Sequence, residues 1–270
     1  MAAIVAAGFY VALGAPARAD DVSPWSDDGH AAIRLIAGSS AGAGALRAGI
    51  EIKLDGGWKT YWRYPGDSGV PPRFDFAGSQ NLASAKVLYP APHLFPDETG
   101  NSLGYKDDVV FPLQVKAKQP GQPVVLHVKV DYAVCEKLCV PAKGDASLTL
   151  TGAASANDAL LNAAEASVPK QVPAAELGLT ARRVNDAAKP LVAVDLKATA
   201  GEPVEIFVEG PTAEWALPIP KPAQGAPPGH LQFGFELDGL PPGVSAKGSF
   251  DLTFTVVKGG KAYEARTHLD

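Results

Sequence analysis

Alternation of apolar and polar side chains is the main pattern in the first half of the chain. Between residues 124 and 132, Val, Leu and Tyr recur at every second position, and the intervening positions include His127, Lys129 and Asp131. This period of two predicts a β-strand with one buried face. We predict further strands over the segments 45–54, 58–64, 83–89 and 109–116.

Short strands separated by Gly, Pro and Asp run from residue 30 to residue 151. The run Asp55-Gly56-Gly57, directly before Trp58, has the composition of a hairpin turn. Many short strands at this spacing are typical of a β-sandwich of the immunoglobulin type.

The pattern changes between residues 157 and 168. Asn157 is a candidate N-cap, Leu160, Leu161 and Ala164 share one helical face, and a proline follows the segment. We therefore predict a short helix here, followed by a proline-containing linker.

Strand-like alternation returns in the last third of the chain, over the segments 191–196, 204–208, 231–237 and 250–256. The run Lys258-Gly259-Gly260-Lys261 predicts a hairpin into the last strand. The predicted fold class is all-β, with two immunoglobulin-like β-sandwich domains that cover residues 20–168 and 169–270.

Composition supports a folded protein and excludes some functions. The chain has 270 residues, 46% of them hydrophobic and 20% charged, with a mean hydropathy of +0.02. These values are typical of globular proteins. The formal net charge is −5 and no basic run occurs, so nothing indicates a nucleic-acid-binding protein.

The first residues have the pattern of an export signal. An Ala-rich apolar run from Ala2 to Ala15 precedes Ala17-Arg18-Ala19, which matches an A-x-A cleavage site before Asp20. The alternative is a membrane anchor, but the run is well short of the roughly 20 residues that span a bilayer. We predict a signal peptide over residues 1–19 and a periplasmic mature protein.

Cys135 and Cys139 are the only cysteines in the chain. Four positions along a continuous strand span about 13 Å, which is too far for a disulfide. A tight loop over residues 136–138 would bring the cysteines together across a hairpin, which we favour over one helical turn. The alternation then places Cys135 on the face of Lys129 and Asp131, where we expect it to be reachable.

Three interpretations of the cysteine pair are open. A disulfide that closes so short a loop contributes only roughly 2 kcal/mol in the chain-entropy model, which favours redox chemistry over an inert structural disulfide. A Cu(I) site is the third interpretation, because thiolates are soft ligands and His93 or His127 could add a third ligand. Neither cofactor nor resident metal is required by the redox interpretation.

Charged neighbours of the cysteines act in opposite directions. Lys137 and Lys143 would favour a thiolate, whereas Glu136 and Asp131 would oppose it. The balance between them stays open at this point.

Three ordered motifs resemble one family. The segment 134–141, Val-Cys-Glu-Lys-Leu-Cys-Val-Pro, is similar to the cysteine motif of the N-terminal periplasmic domain of DsbD-type thiol:disulfide interchange proteins. The segment 58–69 resembles the tryptophan-rich signature of the ScsB-like, copper-sensitivity-suppressor branch, and 104–112 resembles a strand of that family. The resemblance covers about residues 30–150.

This resemblance implies an immunoglobulin-like fold in which Cys135 and Cys139 carry electrons. It implies a membrane thiol reductase as donor and periplasmic thioredoxin-like proteins as acceptors, with Cys139 attacking and Cys135 resolving. The sequence stops at Asp270 without the membrane domain and the thioredoxin-like domain of full-length members. Two expectations follow: a relay that works with a separate membrane donor, or a protein that has kept the fold and lost the electron circuit. Copper binding by the same cysteines is the alternative function.

The resemblance also implies a cap over the cysteines, formed by the segment 95–100. A position of Asp97, Glu98 or Tyr105 near the cysteines rests on this resemblance alone.

Four aromatic residues of the second motif are predicted to pack in the core or at a domain edge rather than to bind a ligand. They are Trp58, Tyr61, Trp62 and Tyr64. Asp67 is predicted to be a turn residue.

Overall fold

The computed structural model describes residues 20–40, 42, 45–97, 100–184, 188–199 and 201–270. The predicted signal peptide, residues 1–19, and Glu98 lie outside the described residues. The described chain is almost entirely β, which confirms the predicted fold class.

Two sheets form the N-terminal sandwich. Its strands are β1 (Ser26–Asp27), β2 (Ala31–Ala37), β3 (Ala45–Leu54), β4 (Lys59–Gly66), β5 (Arg73–Asp75), β6 (Leu82–Val87), β7 (His93–Asp97), β8 (Gly100–Lys106), β9 (Val109–Ala117), β10 (Val124–Cys135) and β11 (Cys139–Leu150). One sheet has the order β1-β2-β3-β9-β6, and the other has the order β11-β10-β4-β8-β7, with β5 paired to β10.

The predicted buried face of β10 is confirmed. Val124, Leu126 and Val128 are fully buried, and they pack against the opposite sheet in one continuous core. Burial of apolar side chains from both inner faces is the main force that holds two such sheets together.

The Asp55-Gly56-Gly57 segment forms a turn, but the predicted hairpin is wrong. Trp58 N–H donates to the carbonyl of Asp55 at 3.0 Å, yet β3 pairs with β2 and β9, whereas β4 pairs with β8 and β10. The turn therefore carries the chain from one sheet to the other.

The predicted helix is present as α1 (Asp158–Ala166), with Asn157 at the N-cap position. Leu161 is fully buried against the outer face of the first sheet, beside Ile36 and Val110, whereas Leu160, at the edge of the predicted apolar face, is exposed. The Asn157 side chain donates to the carbonyl of Asp21 at 2.9 Å, so it fastens the helix to the sandwich and leaves the helix itself without a side-chain cap.

Two more sheets form the C-terminal sandwich. Its strands are β12 (Lys170–Gln171), β13 (Thr180–Arg183), β14 (Leu191–Lys197), β15 (Val204–Glu209), β16 (Lys221–Ala223), β17 (His230–Glu236), β18 (Phe250–Lys258) and β19 (Lys261–Leu269). The sheet orders are β12-β19-β18-β15 and β13-β14-β17-β16. The predicted Gly259-Gly260 hairpin is confirmed, because Lys258 and Lys261 are paired across it.

The two sandwiches share part of their apolar packing. Phe207 and Ile219 of the C-terminal sandwich pack against the core of the N-terminal sandwich, and the ring of Phe207 lies 6.2 Å from that of Trp62. Trp62 lies on β4, so this strand connects the N-terminal core to the C-terminal sandwich.

No helix among the described residues is long and apolar enough to cross a membrane.

Candidate functional site

The two cysteines lie at the tip of the β10–β11 hairpin. Twelve successive residue pairs join the strands, from Val124 opposite Leu150 to Cys135 opposite Cys139. The cysteines form a disulfide, with their Cα atoms 4.1 Å apart, and residues 136–138 make the exposed loop between them. The predicted hairpin geometry is confirmed.

The two sulphur-bearing residues differ in exposure. Cys135 is only 2% exposed, whereas Cys139 is exposed to solvent. The expectation that Cys135 is reachable from solvent is therefore wrong, although its predicted face is right. The reason is that this end of the face is covered by an aromatic side chain from the neighbouring strand.

Tyr61 is that aromatic residue. Its hydroxyl lies 2.7 Å from Sγ of Cys135 and 3.1 Å from Sγ of Cys139, and Tyr61 itself is buried. The prediction that Tyr61 packs in the core or at a domain edge is confirmed, because it lies in a buried cluster with Ala133 and Cys135. Its hydroxyl is in addition within hydrogen-bond reach of both sulphurs. A phenol can donate to a thiolate, so it can stabilise the charge that appears when the disulfide opens.

The alternation of β4 explains how Tyr61 arrives there. Thr60 and Trp62 face the core, and the Thr60 hydroxyl donates to the Ala133 carbonyl at 2.9 Å, next to the cysteine strand. Lys59, Tyr61 and Arg63 occupy the other positions of the period-two pattern.

Lys59 is a further site residue that the sequence reasoning missed. It is the residue paired with Cys135 across β4 and β10, so its stem begins on the same face as the cysteine. Its ammonium donates to Ser102 Oγ at 2.9 Å and lies 5.7 Å from the ring centroid of Phe95. Ser102 and Phe95 thus hold the ammonium on the sheet that carries the cysteines.

The turn after β4 holds the ring of Tyr61. Gly69 has φ +149°, and a Cβ added to it would lie 2.5 Å from the Tyr61 ring, so only glycine fits without displacing the ring. Asp67 anchors the same turn, because its carboxylate accepts from Asn101 N–H at 2.9 Å. The prediction of Asp67 as a turn residue is thus confirmed.

Arg63 faces the C-terminal sandwich. Its guanidinium donates to both carboxylate oxygens of Glu209, at 2.9 and 2.7 Å, and also to Glu264. Desolvation by burial lowers the pKa of Arg63, but the hydrogen bond to Glu209 and the charges of both glutamates outweigh it and raise that pKa above its ordinary value. The neighbouring Tyr64 hydroxyl donates to the Leu217 carbonyl.

The other three aromatic residues of this motif pack as predicted, and Trp58 is among those that contact the N-terminal core. Trp62 is fully buried in the core, and Tyr64 packs against it, as predicted. Trp58 is half-buried and stacks on His30, with ring centroids 4.0 Å apart.

The predicted cap segment, 95–100, belongs to the β7–β8 hairpin, of which residues 98 and 99 lie outside the described residues. Its shielding of the cysteines stays a prediction. Tyr105 does not lie at the cysteines, because its buried hydroxyl donates to the Pro90 carbonyl at 2.8 Å and its ring packs edge-on against Phe111. Burial raises the pKa of Tyr105 well above its ordinary value, as expected of a core phenol.

The histidines considered as copper ligands lie elsewhere. His127 contacts Ala77 O at 2.8 Å and Asp145 Oδ1 at 2.9 Å, and it lies eight positions before Cys135 on β10, roughly 26 Å of extended chain. His93 is exposed and contacts the Phe95 ring. Within the described residues, no group of three or more His, Cys, Asp or Glu side chains is arranged to hold a metal ion.

The charged residues near the hairpin tip are largely exposed. Nζ of Lys143 and Oδ1 of Asp131 lie 3.6 Å apart, so these two charges pair with each other. Glu136 lies beside Gly57 of the sheet-connecting turn. Lys59 is the cation directly opposite a cysteine.

Tyr61 could have been found from the sequence by one signal. Within the strand predicted over 58–64, it occupies the same face as Lys59 and Arg63, and a large aromatic between two cations on the polar face requires a partner. The resemblance of the segment 58–69 to a family motif does not distinguish aromatic residues on the buried face of β4 from those on its polar face.

Comparisons with known proteins give one family match and one similar fold. Residues 33–151 match the family described as "Thiol:disulfide interchange protein DsbD, N-terminal". The fold is similar to the crystal structure of the N-terminal periplasmic domain of ScsB from Proteus mirabilis, with a TM-score of 0.72 and 23% sequence identity over 92% of this chain and 98% of that chain. No curated protein sequence matches this chain.

Proposed function

We propose, from the membership of residues 33–151 in the family of DsbD N-terminal domains, that this protein relays electrons by thiol:disulfide exchange through Cys135 and Cys139. The donor would be a membrane thiol reductase and the acceptors thioredoxin-like proteins of the periplasm. The observation that carries the proposal is the disulfide at the hairpin tip, with one exposed and one buried cysteine and the Tyr61 hydroxyl in reach of both sulphurs.

The exposure of each cysteine supports an order of events. A donor thiolate attacks Sγ of Cys139, a mixed disulfide forms, and Cys135 leaves as a thiolate that Tyr61 can hydrogen-bond. A second donor thiolate then attacks the donor sulphur of the mixed disulfide and releases Cys139. The donor leaves with its two thiols oxidised to one disulfide, and two electrons remain on Cys135 and Cys139.

Transfer to an acceptor reverses these roles. The Cys139 thiolate attacks the acceptor disulfide and forms a mixed disulfide with one acceptor sulphur. Cys135 then attacks Sγ of Cys139 and expels the acceptor thiolate, which restores the Cys135–Cys139 disulfide. Cys139 is thus the attacking residue and Cys135 the resolving residue.

Trapping tests this assignment. Reduced Cys135→Ala protein, mixed with an oxidised thioredoxin-fold protein, should accumulate a mixed disulfide through Cys139 that dithiothreitol cleaves. Cys139→Ala protein should accumulate much less, because its remaining thiol is buried. Equal trapping by both variants would refute the order of events, and a reduced wild-type protein that passes no electrons to any such disulfide would refute the relay.

Copper binding by the same cysteines is the competing function. It has two thiolates at the hairpin tip in its favour, since soft ligands suit Cu(I). Titration of the reduced protein with Cu(I) against a competing chelator separates the functions. Tight binding that is lost in the Cys135→Ala/Cys139→Ala variant, together with absence of electron transfer, would support copper binding instead.

We also propose that residues 1–19 are a signal peptide removed after Ala19, and that residues 20–168 and 169–270 are two domains of a periplasmic protein. The match of residues 33–151 to the DsbD N-terminal family and the similarity of the fold to a periplasmic domain of ScsB support this location. Mass spectrometry of protein purified from the periplasm tests the cleavage, with Asp20 as the expected first residue.

A further inference from the structure

A groove lies between the two sandwiches, close to the disulfide. It has a volume of about 490 Å³, and residues 63–66, 69 and 71 of the N-terminal sandwich line one wall while residues 209–216 of the C-terminal sandwich line the other. Gly69 belongs to the first wall, and it packs directly on the ring of Tyr61, whose hydroxyl contacts both sulphurs. A single tyrosine ring therefore separates the groove from the reacting atoms.

The walls of the groove suit an extended polypeptide. Both contain glycine and proline, among them Gly69, Pro71, Gly210 and Pro211, beside larger residues such as Arg63 and Tyr64. Gly210 packs on the ring of the buried Trp215, so no larger residue fits there. The glycine positions, which carry no side chain, let the backbone of a bound strand approach closely.

The charge of the groove favours a basic occupant. Two carboxylates, Glu209 and Glu214, line it, against one cation, Arg63, which is shared with Glu264 outside the groove. The Glu214 side chain is exposed and held by the Thr212 hydroxyl at 2.7 Å. The pKa of Tyr64 on the opposite wall is raised, first by burial and then by the charges of Asp67 and Glu209, as expected in a negative field.

We propose that this groove binds the extended segment next to the reacting cysteine of the thiol partner, and that it prefers a segment with Lys or Arg. The C-terminal sandwich thereby contributes half of the partner-binding site. An extended chain advances about 3.3 Å per residue, so residues a few positions from a cysteine that attacks Cys139 reach the groove. The inference rests on the proposed thiol:disulfide exchange.

Two cysteine peptides of equal length test the inference, one with Lys and one with Glu on both sides of the cysteine. Each peptide reduces the oxidised protein, as two peptide thiols become one peptide disulfide and Cys135 and Cys139 become thiols. Each peptide rate is divided by the rate of the same protein with dithiothreitol, which is too small to need the groove. We expect the Lys peptide to react about three- to fivefold faster, and the ratio to fall toward one at high salt.

Two substitutions test whether the preference for the Lys peptide arises in the groove. Glu214→Gln should lower the Lys-to-Glu peptide ratio, and Ala213→Trp, which fills the groove from its exposed rim, should slow both peptides relative to dithiothreitol. Glu236→Gln, which removes an exposed carboxylate from β17, is the matched control and should leave the ratio unchanged.

Equal peptide rates in the wild-type protein, or a preference that neither Glu214→Gln nor Ala213→Trp alters, would overturn the groove assignment. The relay itself would stand in that case, provided that the reduced protein still passes electrons to a thioredoxin-fold disulfide. Failure of that electron transfer would instead refute the proposed function.

Discussion

The hydroxyl of Tyr61 lies 2.7 Å from Sγ of Cys135, within a cluster of buried residues that also contains Ala133. A phenol hydrogen-bonds a thiolate more strongly than it does a disulfide sulphur, which is a weak acceptor. Tyr61 therefore stabilises the reduced protein relative to the oxidised protein.

Tyr61→Phe should make the cysteine pair more reducing. A hydrogen bond to a charged group contributes roughly 1.5–3 kcal/mol, which corresponds to a reduction potential about 30–60 mV more negative in the variant. Equilibration with glutathione buffers measures this value. Tyr132→Phe is the matched control, since the buried Tyr132 hydroxyl has no hydrogen-bond partner among the described residues, and an equal shift in both variants would argue against Tyr61.

The cysteines should differ in reactivity toward alkylating agents. In single-cysteine variants of the folded protein, Cys139 should react with iodoacetamide faster than Cys135, by on the order of tenfold or more, because Cys135 is only 2% exposed. Both rates should converge in urea. Faster reaction of Cys135 in the folded state would show that the buried end of the hairpin opens in solution.

Gly69→Ala should disturb the site through the ring of Tyr61. The residue has φ +149°, and the new methyl group would lie 2.5 Å from that ring, so we expect a loss of about 1–3 kcal/mol in the free energy of unfolding and an altered reduction potential. Gly56→Ala is the control, because no atom lies within 4 Å of the added Cβ and its φ is not positive. Urea unfolding and glutathione equilibration measure the two quantities.

Arg63→Met should loosen the contact between the sandwiches. It leaves Glu209 and Glu264 without their shared cation, and removal of one partner from a buried ion pair costs roughly 3–5 kcal/mol. We expect the lower end of this range, because 28% of the Arg63 side chain is exposed. Addition of Glu209→Gln and Glu264→Gln should recover part of the stability.

Arg34→Met provides the comparison for Arg63→Met. Arg34 has a similar exposed fraction, 25%, and pairs with Glu51 within one sheet of the N-terminal sandwich. Arg34→Met should lower the free energy of unfolding without making the segment between the sandwiches sensitive to protease. Equal protease sensitivity in both variants would refute a specific role of Arg63 at the junction.

His127 should make stability depend on pH. The hydrogen bond to the Ala77 carbonyl, followed by the contact with Asp145, favours the protonated ring and raises the pKa of His127 in the folded protein. The stabilisation is therefore fully present below the unfolded pKa of about 6.5 and is lost as pH rises through the folded pKa. Replacement by Gln should lower stability at pH 5 more than at pH 8, measured by urea unfolding, and an equal loss at both values would refute this.

The strands and the cysteine hairpin were predictable because their signals are local. Alternation over 124–132 fixes which face of β10 is buried, and the four-residue spacing of the cysteines leaves few geometries for a disulfide. The two Gly-Gly turns show that local sequence does not predict which strands pair. Their compositions are similar, yet Lys258–Lys261 joins paired strands whereas Asp55–Gly57 joins different sheets, and strand pairing is set by distant residues.

The contacts of Tyr61 could not be predicted for the same reason. Its hydroxyl meets a cysteine 74 positions away, and the period of β4 shows only that Tyr61 is on the polar face. The junction at Arg63 depends on partners 146 and 201 positions away, in the other sandwich. Long-range contacts of this kind are decided by how the sheets stack.

Because side chains alternate between the two faces of β4, the number of residues in this strand is constrained. Insertion or deletion of a single residue between Trp58 and Tyr61 would reverse the direction of every side chain that follows, because the pattern repeats every two residues. Trp62 would then face solvent, while Tyr61 and Arg63 would turn toward the core. Related proteins can therefore exchange amino acids along this strand, but a shift in its register would remove the tyrosine from the sulphurs and the arginine from the second sandwich at the same time.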